Sequence, residues 1–341
     1  MKETMKAVGL IHYLPISDPD SLQDFDLPRP APEQRDLLVR IEAVSVNPVD
    51  VKVRAPKPGV EAQPKILGWD AAGIVEAVGS GVTLFKPGDE VYYSGSIIRP
   101  GTNSEYHLVD ERIAGRKPAN LTFAEAAALP LTTITAWEAF FERLHLDRTG
   151  ADGGKLLLII GGAGGVGSIA IQIAKVAGLK VIATASRKET REWCQKLGAD
   201  FLIDHRQPLK DELQRIGVST VDYIANFSNT DQYWYPMAEV IRPEGVICSI
   251  VENSAPLDLN ALKSKSATFA WEFMFTKSMF NTPNMESQGI LLNEVAELVD
   301  AGRIRTTLTE TIAGINAQNL RRVHERIESG RTIGKVVLAG W

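Results

Sequence analysis

The chain has 341 residues, 44% of them hydrophobic, with 37 lysines and arginines against 42 aspartates and glutamates. That length predicts about two domains with substantial cores. A net charge of −5 gives no bulk attraction to nucleic acid or an anionic membrane.

In chain order, Met1-Lys2-Glu3-Thr4-Met5-Lys6 has no signal-peptide apolar core. No later run approaches a membrane span, so a cytoplasmic location is expected. The first 128 residues read as short strands between Gly/Pro turns, a β-rich, barrel-like domain. Strands are expected at 37–44, at 72–79 and, after the turn Lys86-Pro87-Gly88-Asp89, at 90–93. Asp50 and Lys52 share a face if their segment is extended.

From Leu129 the pattern alternates helix and strand. Strands are expected at 156–160, 180–185, 201–203, 221–225, 245–250 and 267–274, which predicts a doubly wound parallel sheet. The first is Leu156-Leu157-Leu158-Ile159-Ile160, apolar enough to be buried on both faces. Gly162, Ala163, Gly164, Gly165, Val166 and Gly167 follow it and lead into an apolar helix ending near Ala177. A glycine turn between strand and helix lets a pyrophosphate approach backbone N–H groups, the dinucleotide fingerprint. An NAD site puts a carboxylate on the ribose about 20 residues later. Here the second strand ends in Ser186-Arg187-Lys188, a hydroxyl and two cations. That suits a 2′-phosphate and points to NADPH. Ser186 is equally suited to capping the next helix, which Gly198 closes.

The segment Asn226-Phe227-Ser228-Asn229-Thr230 follows the fourth strand at the carboxyl edge of the sheet, so it is expected to line the cofactor cleft, with Phe227 and Ser228 at the cofactor. Cys194 and Cys248 are too few for a disulfide framework or a four-thiolate zinc site, and read as buried, inert thiols. His12, His107, His145, His205 and His324 show no ligand spacing and read as surface or hydrogen-bonded residues. Amphipathic helices carry Leu291, Val295 and Leu298, then Leu320, Val323 and Ile327. A last strand at 335–338 is expected to return to the first domain.

The chain resembles the medium-chain dehydrogenase/reductase superfamily along essentially its whole length. The glycine turn with Gly154, Lys155, Gln172 and Lys175 is similar to the quinone oxidoreductase/ζ-crystallin signature. Val46-Asn47-Pro48-Val49-Asp50, Leu67-Gly68-Trp69-Asp70-Ala71-Ala72-Gly73 and Pro87-Gly88-Asp89-Glu90-Val91 resemble the GroES-like catalytic domain of the superfamily. More narrowly, the chain looks like proteins labelled "zinc-type alcohol dehydrogenase-like". The resemblance implies a Rossmann domain over 129–275, inserted between a GroES-like first segment, 1–128, and its return, 276–341. It places Asn47, Trp69 and Leu131 where zinc-dependent relatives carry metal ligands, and none of these supplies thiolate or imidazole. No metal is therefore expected.

The implied activity is NADPH-dependent reduction of quinones or α,β-unsaturated carbonyls by hydride transfer. The alternatives are an enoyl-thioester reductase or a non-catalytic NADPH-binding redox sensor. Asn47 and Thr135 are implied beside the nicotinamide or substrate. Lys52 stands where many quinone oxidoreductases have tyrosine, and with Asp50 completes the catalytic candidates. Tyr93 and Trp271 are weaker substrate-pocket candidates. A small-molecule substrate and a homodimer paired at the last nucleotide-domain strand are expected, with neither nucleic acid nor membrane as partner.

Overall fold

The computed structural model describes residues 3–341. The chain divides into two compact units, one running to Ile134 and resuming at Phe275–Trp341, the other Thr135–Met274. The first seam lies inside the helix Pro130–Trp137, past the change of pattern at Leu129. Among the described residues no helix is long and apolar enough to cross a membrane.

The first unit is built around the strand Asp36–Ser45, whose Leu37, Val39, Ile41, Ala43 and Val44 are buried. It pairs antiparallel with Ala71–Val78 and with Tyr106–Asp110. The strand Lys335–Ala339 also pairs with it, Val337 opposite Ser45 and Ala339 opposite Ala43. Leu308–Ala313, Glu90–Tyr93 and Ala114–Arg116 complete a seven-stranded sheet. A three-stranded sheet takes the order Gln23–Pro28, Thr4–His12, Val60–Ile66.

The residues after Asn47 are not extended. They form the helix Pro48–Arg54, because Pro48 sits at the helix start, where its missing N–H costs nothing. The Asp50 carboxylate accepts the Asn47 backbone N–H at 2.5 Å. Side chains two apart on a helix do not share a face, so Asp50 points into the core while Lys52 is exposed.

The helix Ala317–Glu328 buries Leu320 and Val323, and His324 with them. The expectation of a surface or hydrogen-bonded histidine fails there. Residues 320, 323, 324 and 327 are one helical stripe, and neither ring nitrogen of His324 has a hydrogen-bond partner. Burial holds the imidazole neutral, with its pKa pushed down to about 3. His107 is buried too, but its ring nitrogens are within hydrogen-bond distance of Tyr93 Oη and Pro100 O.

The second unit holds a six-stranded parallel sheet. Its order is Phe201–Ile203, Lys180–Thr184, Leu156–Ile160, Val221–Asn226, Ile241–Ser249, Thr268–Trp271. Leu158, Ile182, Ile224 and Ile247 fill its centre. The fifth strand starts at Ile241, ahead of the expected 245. The last strand covers only part of the expected 267–274. It stops where its partner strand ends at Ser249, to whose carbonyl the next residue, Glu272, still donates at 3.0 Å; Glu272 is buried, 2% exposed. There its carboxyl meets Glu138, which opens the π-helical segment Glu138–Arg143, and Arg143 Nε is 2.9 Å away. Phe269 is not a free edge residue, since its ring packs edge-on against Trp234 and Trp271. Cys194 and Cys248 are both buried.

The acid pair generates a prediction. Burial is the main cause pushing Glu272 up to about 9, followed by the charge and hydrogen bond of Glu138, with Arg143 opposing. An acid whose folded pKa exceeds its unfolded value of about 4.3 loses native stability as pH rises between the two. Glu272→Gln removes that loss. It should raise the melting temperature at pH 8 by about 3 °C or more and do little at pH 4. Thermal denaturation across that range checks it. Equal shifts at both ends would show that no proton is held by the pair.

Candidate functional site

In the second unit the glycine turn is fixed by packing. A Cβ on Gly167 would lie 2.2 Å from Gly161 O, and one on Gly162 would lie 2.9 Å from Ala183 Cβ. Neither position admits a side chain while the helix Gly165–Val176 stays against the sheet. Gly164 differs. It is the helix N-cap, and a Cβ there meets only Gly161 O, at an ordinary 3.5 Å. Gly164, Gly165 and Val166 are half-exposed, so the first N–H groups of the helix face open space. Positive helix ends and bare N–H groups suit an anion of pyrophosphate type, and the open face at Gly164 fits one.

Thr184, which the sequence reading missed, and Asn226, which opens the segment expected to line the cofactor cleft, hold this turn. Thr184 Oγ1 accepts the Gly161 N–H at 2.9 Å. Buried Asn226 accepts the Ser228 N–H at 3.1 Å and donates to Ser249 Oγ at 3.2 Å. The structure brings Phe227 to the turn: its N–H donates to Ile160 O at 3.0 Å, and its own carbonyl lies 3.3 Å from where a Gly161 Cβ would stand. A polar residue closing an apolar strand, as Thr184 and Asn226 both do, was the available signal.

At the end of the second strand Ser186 is half-buried and Arg187 exposed. The helix Lys188–Lys196 is capped at Arg187, not at Ser186, because the Thr190 hydroxyl bonds both the N–H and the C=O of Arg187. Ser186 is thereby left outside the helix, with its Oγ 3.4 Å from His205 Nε2.

In the first unit, Asn47 and Leu131 meet at the carboxylate of Asp70. Asp70 is fully buried and accepts the Leu131 N–H at 2.7 Å, Asn47 Nδ2 at 2.8 Å and Lys335 Nζ at 3.1 Å. Lys335 Nζ also donates to Asn47 Oδ1 and, at 3.1 Å, to Val46 O. The Asn47 amide is thus engaged at both ends inside this unit. Burial pushes Asp70 up, and Lys335, Asn47 and the Leu131 N–H pull it back. Asp50 lies at the edge of this network with one buried oxygen, Oδ1, unpartnered. Burial pushes Asp50 up to about 7 against the pull of the Asn47 N–H and Lys335, and the charge of Asp70 adds to the push.

The remaining candidates are dispersed. Trp69 donates its indole N–H to Ser96 O at 3.2 Å. Tyr93 is fully buried, with its hydroxyl 3.0 Å from His107 Nδ1. Thr135 is buried on the second unit's side of the seam. Trp271 is 43% exposed on the edge strand. Asp70 and Lys335 were missed as site residues, although each is a charged residue abutting an apolar run.

Residues 33–136 match the alcohol dehydrogenase GroES-like domain family, and residues 165–291 match the zinc-binding dehydrogenase family. The chain is 44% identical over 335 residues to the zinc-type alcohol dehydrogenase-like protein SAS2087 of Staphylococcus aureus (strain MSSA476), covering 98% of this chain and 99% of that one. A candidate zinc-dependent alcohol dehydrogenase from Rhizobium etli CFN 42 superposes with a TM-score of 0.95 at 54% identity, over 99% of this chain and 98% of that one. The quinone oxidoreductase of Coxiella burnetii superposes with a TM-score of 0.81 at 26% identity, over 99% of this chain and 100% of its own.

The Asp70 network yields a stability prediction. Lys335→Met leaves a buried carboxylate without its cation and should cost about 3–5 kcal/mol. Adding Asp70→Asn removes the charge and should recover more than half of that loss. Urea unfolding of the two single variants and the double variant gives the coupling. Simple additivity would mean that the ion pair is not what holds these strands.

Proposed function

The chain belongs to the medium-chain dehydrogenase/reductase superfamily, an oxidoreductase family that binds a nicotinamide cofactor, and we propose that it is a zinc-independent, NADPH-dependent reductase of quinones or α,β-unsaturated carbonyls. The observation that carries this reading is the Asp70 network. Asn47, Trp69 and Leu131 stand at the ligand positions of zinc-dependent relatives. Here the Asn47 amide is bound to Asp70 and Lys335, Trp69 offers an indole already donating to Ser96, and Leu131 is apolar. Among the described residues no three His, Cys, Asp or Glu side chains are grouped to hold a metal ion. This donor set does not fit zinc, whatever the names of the relatives say.

Alcohol oxidation needs a Lewis acid or a substitute to hold a developing alkoxide. A conjugated acceptor instead spreads incoming charge onto a carbonyl oxygen, where hydrogen-bond donors suffice. The likeness to a quinone oxidoreductase supports the same class. When bound, the reduced nicotinamide supplies the hydride. The glycine turn, Gly162 to Gly167, receives the pyrophosphate, with Phe227 and Ser228 beside it. Ser186 and Arg187 meet the 2′-phosphate. We assign donation toward the substrate oxygen to Thr135 or, alternatively, Lys52. Asn47 and Asp50 keep the adjoining backbone in place, because the Asn47 amide is already committed. We propose a homodimer through the edge strand Thr268–Trp271, where Trp271 and Phe273 expose apolar surface.

NADPH consumption with quinones, enones and aldehydes, set against ethanol oxidation, with metal content measured on the same sample, tests the assignment. We expect turnover of the conjugated acceptors and no stoichiometric zinc. Faster ethanol oxidation, or one zinc per chain lost together with activity on chelation, would overturn it. Arg187→Ala should weaken NADPH binding by roughly 1.5–3 kcal/mol and leave NADH nearly unchanged. Lys52→Met should lower turnover without changing cofactor affinity. Light scattering should give twice the chain mass for the native protein and a monomer for Trp271→Glu.

A further inference from the structure

His205, which carried no role in the sequence reading, sits among the groups at the end of the second strand. Ser186 Oγ is 3.4 Å from its Nε2. Arg206 Nη2 is 3.5 Å from Ser186 O, and its guanidinium is braced on Asp204, with Nε 3.0 Å from Oδ1 and Nη2 2.5 Å from Oδ2. Arg187 opens the following helix. Arg191, from the same helix, donates to Ala185 O at 3.1 Å and to Leu202 O at 3.3 Å, tying the two strand ends together. Around the half-buried imidazole the nearby charges are Arg187 and Arg206 against Asp204, an excess of one positive charge. Burial is the main cause holding His205 below the usual imidazole range; Asp204 opposes it, and Arg206 and Arg187 add to the push.

We propose that His205 reads the 2′-phosphate of the cofactor by taking up a proton as the phosphate arrives. This rests on the NADPH reading above. A phosphate carrying about −1.5 to −2 charge reverses the sign of the local field and favours the imidazolium. The hydrogen bond to Ser186 then reverses. In the neutral Nδ1–H tautomer Nε2 accepts from the Ser186 hydroxyl, whereas a protonated Nε2 donates to it. The hydroxyl, now accepting from the imidazolium, is free to donate its own hydrogen bond to the phosphate, so one proton from solvent turns Ser186 into a phosphate donor. A cofactor without the 2′-phosphate supplies no such field, and it binds without proton uptake.

Isothermal titration calorimetry of 2′,5′-ADP and of 5′-AMP, repeated at pH 7 in buffers of different ionisation enthalpy, counts the protons. We expect uptake of up to about one proton with 2′,5′-ADP and none with 5′-AMP, and 2′,5′-ADP affinity falling by up to about tenfold per pH unit above pH 7. In His205→Gln the uptake should vanish and the pH slope flatten to that of the phosphate alone. Unchanged 5′-AMP binding in that variant shows that the fold is intact. If His205→Gln takes up protons as the native protein does, the proposal fails and the NADPH reading stands. If 2′,5′-ADP binds no more tightly than 5′-AMP, the NADPH reading itself fails.

Discussion

A buried carboxylate must be answered by a cation and by hydrogen bonds, and the first unit is arranged around one such demand. Asp70 takes bonds from Asn47, Leu131 and Lys335, three segments far apart in the chain. Each brings its own secondary structure: the capped helix after Asn47, the helix at Pro130, and the strand Lys335–Ala339. An apolar residue at position 70 would leave the Lys335 ammonium buried without a counter-charge and the Leu131 N–H without its acceptor. The network therefore fixes how these segments meet, and it engages both ends of the Asn47 amide inside this unit.

The second unit meets a similar demand differently. Glu138 and Glu272 share one site, and Arg143 alone cannot neutralise both. The economical state keeps a proton between them. That proton keeps the pair buried beside the end of the last strand, whose partner strand closes at Ser249.

Much of this was legible in the sequence, for physical reasons. Leu156–Ile160 is apolar on both faces and so read directly as a central parallel strand. The glycine turn was readable because close approach excludes side chains, and Gly167 shows that exclusion directly. Legibility ended where a long-range polar contact decided the outcome. Asp50 and Lys52 share a face only in an extended segment, yet Pro48 and the Asp50 cap start a helix there, which separates the two. His324 lies on the same helical stripe as Leu320 and Val323, so its burial was encoded in the spacing although its residue type argued against it. Nothing local announces that Lys335 serves Asp70, since that bond spans 265 positions.

That span has a consequence for biosynthesis. A ribosome releases residues in order, and the segment Thr135–Met274 is contiguous, so every strand of its sheet is available before residue 275 is made. The first unit emerges earlier but cannot be completed, because the ammonium that answers Asp70 arrives only with Lys335. Until then a carboxylate that the native state buries must stay in water, and the central strand Asp36–Ser45 lacks its Lys335–Ala339 neighbour along Ala43–Ser45. The unit begun first is therefore finished last, and in the interval its open strand edge is the part of the nascent chain that a chaperone would have to shield.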